Sequence, residues 1–177
     1  MKPVILENFK NALTDIVRPN RFLVEIVPPS SIEDAIPTDR LMYFATSASL
    51  PDRNFNEVII KFYGMDYKIP ASEVTQDLII NFIVDESWGV RSLFEAWASL
   101  INDRETTEKA DIVELLDGSY VKVHQLDNTG NKLQSYEFRY AFPKTMDQID
   151  LNQETMDGHE TFQVTFSYSY WVGIDSE

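Results

Sequence analysis

Two histidines, no cysteine and 29 acidic residues are the reactive groups this 177-residue chain offers. Zinc needs several Cys or His ligands at short spacing, and here only His124 and His159 exist, neither within H-E-x-x-H. His124 alternates with Lys122 on a predicted strand and reads as a surface residue. The stretch "DQIDLNQETMDGHE" places Asp150, Asn152 and Glu154 at alternate positions, as calcium-loop ligands are placed. The match then fails, because Thr155 stands where such a loop needs glycine and no flanking helices are predicted; Gly158 reads as a turn before the last strand. Carboxylate pairs suited to glycoside hydrolysis carry little weight in a chain this rich in acids, since some will be neighbours by chance. The six glycines form no G-x-G-x-x-G, no phosphate-binding loop and no G-x-S-x-G nucleophile elbow. No catalytic residue, metal or cofactor is expected.

Charge is the more informative property. Fifteen Lys and Arg against 29 Asp and Glu give a net charge of −14. Nucleic-acid affinity rests largely on cations that displace counterions from phosphates, so a chain this acidic is not built to grip DNA or RNA. Aromatic residues, 12% of the chain, alternate with Ser, Thr, Gln and Glu rather than with basic residues, which points to core packing and protein contacts instead of base stacking. No stretch approaches the ~20 apolar residues of a membrane span, so no membrane insertion is expected. The opening "MKPVILENFKNALTDIV" has a short apolar run before Glu7 and is not read as a signal peptide. Without cysteine the compartment stays open, with the cytoplasm as the default.

The elements that must position any site are mostly strands. Ile5, Phe9, Ala12, Leu13, Ile16 and Val17 recur at helical spacing, and "RPN" ends that first helix. A second helix follows "DES", with Ser87 as its predicted N-cap and Val90, Leu93, Phe94, Trp97, Leu100 and Ile101 as its apolar stripe. Strands are predicted at "RFLVEIV", at "LMYFATSASL" up to Pro51, at "TQDLIINFIV", and at two or more places between Asp111 and Pro143. A loop spans residues 28–40, with a helical turn at "SIEDAI", and a charged loop "NDRETTEKAD" follows the second helix. "NEVIIKF" and "YKIPA" flank "YGMD" as a hairpin turning at Gly64, and "DNTGN" makes a bulged turn at Gly130.

The last predicted strand, "TFQVTFSYSYW", sets Phe162, Val164, Phe166, Tyr168 and Tyr170 on one face. Its other face, Gln163, Thr165, Ser167 and Ser169, is hydroxyl-rich and uncharged. Ile79 and Ile83 on "DLIINFI" and Ile59 on "EVIIK" likewise interrupt what would be solvated faces. Helices or a neighbouring subunit must cover such mixed faces. About eight short strands and two helices make a mainly β, α+β chain: an antiparallel β-sandwich or barrel with one packed α-helix and an N-terminal helix, read as a single domain over residues 1–177.

The order of these segments carries a resemblance. "RPNRFLVEI", "SASLP", the hairpin "NEVIIKFYGMDYKIPA", "INFIVDE", the helix "SLFEAW", the hairpin ending "YAFP" and the closing "DGHETFQVTFSYSYW" together resemble the tail tube proteins of contractile-tailed bacteriophages, across almost the whole chain. Residues 28–40 and 102–111 look like insertions relative to a minimal member. The resemblance implies a structural virion protein rather than an enzyme. Six subunits would close a ring-wide β-barrel, and rings would stack into a tube inside a contractile sheath. The implied partners are further copies of the chain, the sheath protein, the tape-measure protein and a baseplate tube initiator, with DNA only in transit and assembly in the host cytoplasm. Tubes of bacteriocin and type VI secretion systems share the fold and are related alternatives, as is a tube-end or baseplate protein. An enzyme or carbohydrate-binding sandwich would need a concave site of convergent polar groups, to which nothing in the sequence points.

Two sets of residues become candidates under this reading. Glu57, Asp77 and Glu137 lie on polar strand faces and are expected to face the channel, where acidity keeps a passing polyanion from sticking. Tyr63, Gly64, Met65, Asp66 and Tyr67 form a glycine turn flanked by large side chains and are expected to contact the next subunit or ring.

Overall fold

The computed structural model describes residues 16–32, 41–103, 110–116, 118–149, 151–154 and 158–175. Within them lie ten strands and three short helical segments. Strands β1 (Phe22–Val27), β6 (Tyr120–Leu126), β7 (Lys132–Arg139) and β10 (Tyr170–Asp175) form one antiparallel sheet in that spatial order. Strands β2 (Ala45–Ala48), β5 (Leu78–Ile83), β9 (Thr161–Ser167) and β8 (Phe142–Met146) form a second. A two-stranded ribbon, β3 (Asn54–Phe62) with β4 (Met65–Val74), stands apart from both.

Period-two patterning decides which faces meet. Val24, Ile26, Val121, Val123 and Phe138 of the first sheet are buried together with Leu78, Ile80, Phe82, Phe162, Val164 and Phe166 of the second. Helix α2 (Gly89–Ile101) adds Val90, Leu93, Phe94 and Trp97 to the same core, all at most 3% exposed. Its Phe94 ring lies 5.2 Å from Phe82, 6.1 Å from Phe162 and 5.8 Å from Phe166, while Trp97 lies 6.3 Å from Phe166. The Phe82–Phe94 pair is tilted and the other three are edge-to-face, and aromatic pairs at these separations add ~0.5–1.5 kcal/mol each to the burial itself. Arg91 ties the helix to the strands, donating to the Asp147 carbonyl at 2.7 Å and lying over the Phe162 ring.

Several expectations need correction. Ser87 is not the cap of α2: the N-cap is Trp88, in left-handed backbone, and the Ser87 hydroxyl is donated to the Asp85 carboxylate. Asp85 serves the helix start instead. Its carboxyl is held below the usual range first by that hydroxyl and further by the amides of Gly89 and Val90, against the opposing effect of burial. The segment "LMYF" is a helical turn, α1 (Leu41–Phe44), and only Ala45–Ala48 continue as strand. Residues 112–116 form another short helix, α3 (Ile112–Leu116), ahead of β6. Pro143 does not end the strand run; it lies inside β8, an edge strand, beside a bulge, where its missing N–H costs no ladder bond.

The closing strand is also two strands. After Ser167 the chain leaves the second sheet, kinks at Tyr168 and Ser169, and enters the first sheet as β10. The kink reverses the alternation, so Trp171 packs against the core while Tyr170 is 43% exposed. The chain makes the reciprocal crossing between β7 and β8 at Tyr140, whose φ is +54°. The two crossings touch: the Ser169 N–H donates to the Arg139 carbonyl at 3.1 Å, and the Tyr140 and Tyr170 rings lie 6.0 Å apart.

The predicted N-terminal helix lies outside the described residues except for Ile16 and Val17, which are irregular and exposed. The "SIEDAI" turn beyond Ile32, residues 104–109 of the charged loop, Asp150 and Thr155 lie outside them too. No described helix is long and apolar enough to cross a membrane.

Candidate functional site

The hairpin turn follows from two adjacent residues with positive φ, Tyr63 at 48° and Gly64 at 80°. This is the two-residue turn whose twist matches the strands it joins, and the second position favours glycine. Register then sorts the ribbon into two unlike faces. Val58 opposes Ile69, Ile60 opposes Tyr67 and Phe62 opposes Met65, which gives one face of six large apolar side chains. On the other face Ile59 opposes Lys68 and Lys61 opposes Asp66, and the Lys68 ammonium lies 2.7 Å from the Glu57 carboxylate.

Every residue of β3 and β4 is exposed, including Phe62 at 64%, Met65 at 71% and Tyr67 at 69%. Beyond each other the two strands make no extended packing with the sandwich. An isolated two-stranded ribbon is marginal in water, and six adjoining apolar side chains form a patch of the kind that marks a protein interface. Tyr63, Gly64, Met65, Asp66 and Tyr67 therefore sit together at the free end of a projecting apolar ribbon.

At the ribbon's root, Arg53 donates to both carboxylate oxygens of Glu73, at 2.9 and 3.3 Å. Its guanidinium carbon lies 5.9 Å from the Phe55 ring centroid and 5.5 Å from that of Trp171 on β10. An open cleft between root and β10 is lined by Arg53, Glu73, Thr75, Trp171 and Gly173.

The three acids are not brought together. Glu57 is on the polar face of the ribbon, Asp77 precedes β5, and Glu137 is on the outward face of β7. Each has a cation beside it: Lys68 at 2.7 Å, Lys144 at 2.7 Å, and Arg139 at 2.7 Å with Lys122 at 3.6 Å, respectively. Asp77 continues the outward face of the second sheet, where β5 and β9 present Ile79, Asn81, Ile83, Thr161, Gln163, Thr165 and Ser167 without one charge.

The outward face of the first sheet is different. Glu25, Lys122 and Glu137 stand side by side across β1, β6 and β7, and Lys122 lies 3.7 Å from Glu25. Burial opposes the Lys122 ammonium, but the Glu25 and Glu137 carboxylates, with the Tyr120 side chain beside them, outweigh it and hold its pKa above the ordinary value. His124 belongs to this ladder and is not a surface residue: it is 3% exposed, between Leu23 and Ser135 in register. Its Nδ1 lies 2.7 Å from the Ser135 hydroxyl, and its Nε2 lies 3.5 Å from Glu25 and 3.4 Å from the Lys132 ammonium. Burial first, and the Lys132 charge second, push its pKa below 6.5. Serine, histidine and carboxylate thus meet here, but with Ser135 and His124 both closed to solvent they brace a sheet and meet no substrate. Among the described residues no cluster of His, Asp or Glu is placed to hold a metal ion.

Known proteins resemble this chain along nearly its whole length. A tail tube protein of Serratia phage KSP90 is 22% identical over 166 residues, covering 92% of this chain and 93% of that one. A chain of the sheath–tube complex of the PVC extracellular contractile injection system, in its extended state, superposes with a TM-score of 0.63 at 15% identity, covering 94% and 97% of the two chains. A chain of the anti-feeding prophage baseplate superposes with a TM-score of 0.67 at 12% identity, covering 93% and 99%. At these identities the superpositions establish a shared fold. The family model described as phage tail tube protein matches residues 17–173, and this chain belongs to that family.

Proposed function

We propose that this chain is the repeating structural subunit of a tail tube, with no catalytic role, in which six copies close a ring and rings stack around an axial channel. The observation that carries the reading is the β3–β4 ribbon. It presents an apolar face from Val58 to Ile69 that the described residues leave uncovered, and a neighbouring copy is the partner that buries it. Membership of the tail tube family supplies the identity of that neighbour. The single unit of residues 1–177 would be assembled in the host cytoplasm and would reside in the virion tail. Its further partners are the sheath protein, the tape-measure protein and a baseplate initiator, and the fold it shares with chains of a sheath–tube complex and a baseplate fits such a setting. DNA passes through the channel without being held. The net charge of −14 supports that passage, since a polyanion is repelled by an acidic wall. Of Glu57, Asp77 and Glu137, which lie on three separate faces, we retain Asp77 as the proposed channel acid, on the outward face of the second sheet, where β5 and β9 carry no other charge.

A second reading, a tube-end or baseplate ring, draws on the comparable likeness to chains of a baseplate and a tube-terminating cap. Negative-stain electron microscopy over a concentration series separates the two. Long hollow tubes or stacked six-fold rings are expected, rings that never stack would favour the tube end, and single particles at every concentration would contradict both.

A further inference from the structure

The ribbon's direction is a problem the fold has to solve. Two exposed strands with no extended packing against the sandwich can leave it at many angles, and only one angle suits a neighbouring copy. The links at the root are short, from Ser49 to Arg53 on one side and from Thr75 to Asp77 on the other. Arg53 is a side chain that spans from ribbon to sandwich. Its planar fork grips Glu73 on the facing strand, and the same guanidinium lies over Phe55 of the ribbon and Trp171 of β10. Trp171 is itself anchored, packed against the core, with its ring 5.7 Å from Tyr136.

We infer that Arg53 is the pivot of the ribbon: held by both oxygens of Glu73 and lying over the Trp171 ring, it fixes the angle at which the ribbon leaves the sandwich, and it is a positioning residue for assembly. The pair is exposed, with the Arg53 and Glu73 side chains 61% and 38% accessible, and an exposed pair held by a single contact would constrain little. A bidentate guanidinium lying over an anchored ring has a defined plane, and lysine, a point charge on a flexible stem, cannot reproduce it. The kink at Tyr168 and Ser169 completes the device. By reversing the alternation it turns Trp171 inward, onto the anchored side of β10. The inference rests on the proposed role of the ribbon in assembly, but the angle itself can be measured without assembly.

The chain has no cysteine, so two introduced ones, Lys61→Cys on the ribbon and Ser99→Cys on α2, can be spin-labelled cleanly in the full-length protein. Pulsed electron resonance on dilute, unassembled subunit should give one narrow distance distribution. Arg53→Lys, which keeps the charge, should at least double its width while leaving the circular-dichroism melting curve unchanged. Trp171→Leu should broaden it in the same way. In unlabelled protein, Arg53→Lys should raise the concentration needed for assembly at least tenfold. A parent distribution that is already broad overturns the pivot, and so does an Arg53→Lys distribution as narrow as the parent's. If the widths behave as expected but neither parent nor variant assembles at any concentration, the pivot stands and the tube reading fails.

Discussion

Replacing Met65 with Asp and Tyr67 with Ala acts on the ribbon's apolar face and on little else. The two side chains are 71% and 69% exposed in the isolated subunit. Complete burial of such a side chain is worth ~1.5–3 kcal/mol, so covering the exposed share of each returns roughly 1–2 kcal/mol at the interface. Removing both withdraws roughly 2–4 kcal/mol per subunit contact, before the added cost of burying the new carboxylate. At ~1.4 kcal/mol per factor of ten, the concentration at which half the protein assembles should rise about 30- to 1,000-fold. The subunit itself should be unaffected, since exposed substitutions usually change stability by less than ~0.5 kcal/mol. Pelleting followed by electron microscopy reads the first quantity, and urea melts of dilute protein read the second. Assembly of the double variant at the parent's concentration would refute the claim that this face is an interface. A large loss of subunit stability would show that it packs within its own chain.

Four further outcomes follow from the geometry. Trp97→Ala empties the fully buried contact between α2 and Phe166 and should cost ~3–5 kcal/mol in urea unfolding; a change below ~1 kcal/mol would show that the helix is not part of the core. Gly130→Val puts a side chain at φ +94° in the β6–β7 turn and should cost ~1–2 kcal/mol, lowering the melting temperature by roughly 2–8 °C, whereas no shift would mean the turn adopts another backbone. Because His124 titrates lower in the folded chain than in the unfolded one, the unfolded state binds its proton first as pH falls. Its contribution is therefore complete above pH ~6.5 and lost below it, so His124→Gln should flatten the fall in urea midpoint between pH ~7.5 and ~5.5, and an identical fall in both proteins contradicts the assignment. Asp77→Lys should slow DNA ejection from particles with normal tails, and unchanged ejection rates would remove this acid from the channel wall.

Much of the architecture is legible residue by residue. Strict alternation at Leu78, Ile80 and Phe82 and at Phe162, Val164 and Phe166 marks two strands that pair side by side in the second sheet. Gly64 and Gly130 stand at two hairpin turns and both have positive φ. The stripe from Val90 to Trp97 packs as its spacing requires. What local pattern could not convey is non-local. "TFQVTFSYSYW" alternates smoothly across Tyr168 and Ser169, and the one mark of the change of sheet there is Trp171, a large aromatic residue in the register of the polar face. His124 looks like a polar outward residue because its burial comes from neighbouring strands: from Glu25 on β1, far away in the sequence, and from Lys132 and Ser135 across its own hairpin on β7. The apolar residues of the ribbon read as core candidates by type. Only the fold reveals that nothing among the described residues covers them.

The most direct test of the central claim is a reconstruction of the assembled particle by cryo-electron microscopy. The account predicts six-fold rings around an open axial channel, with the face carrying Val58, Ile60, Phe62, Met65, Tyr67 and Ile69 buried against a neighbouring copy. A particle in which that face lies in solvent, or in which no channel runs along the axis, would contradict it.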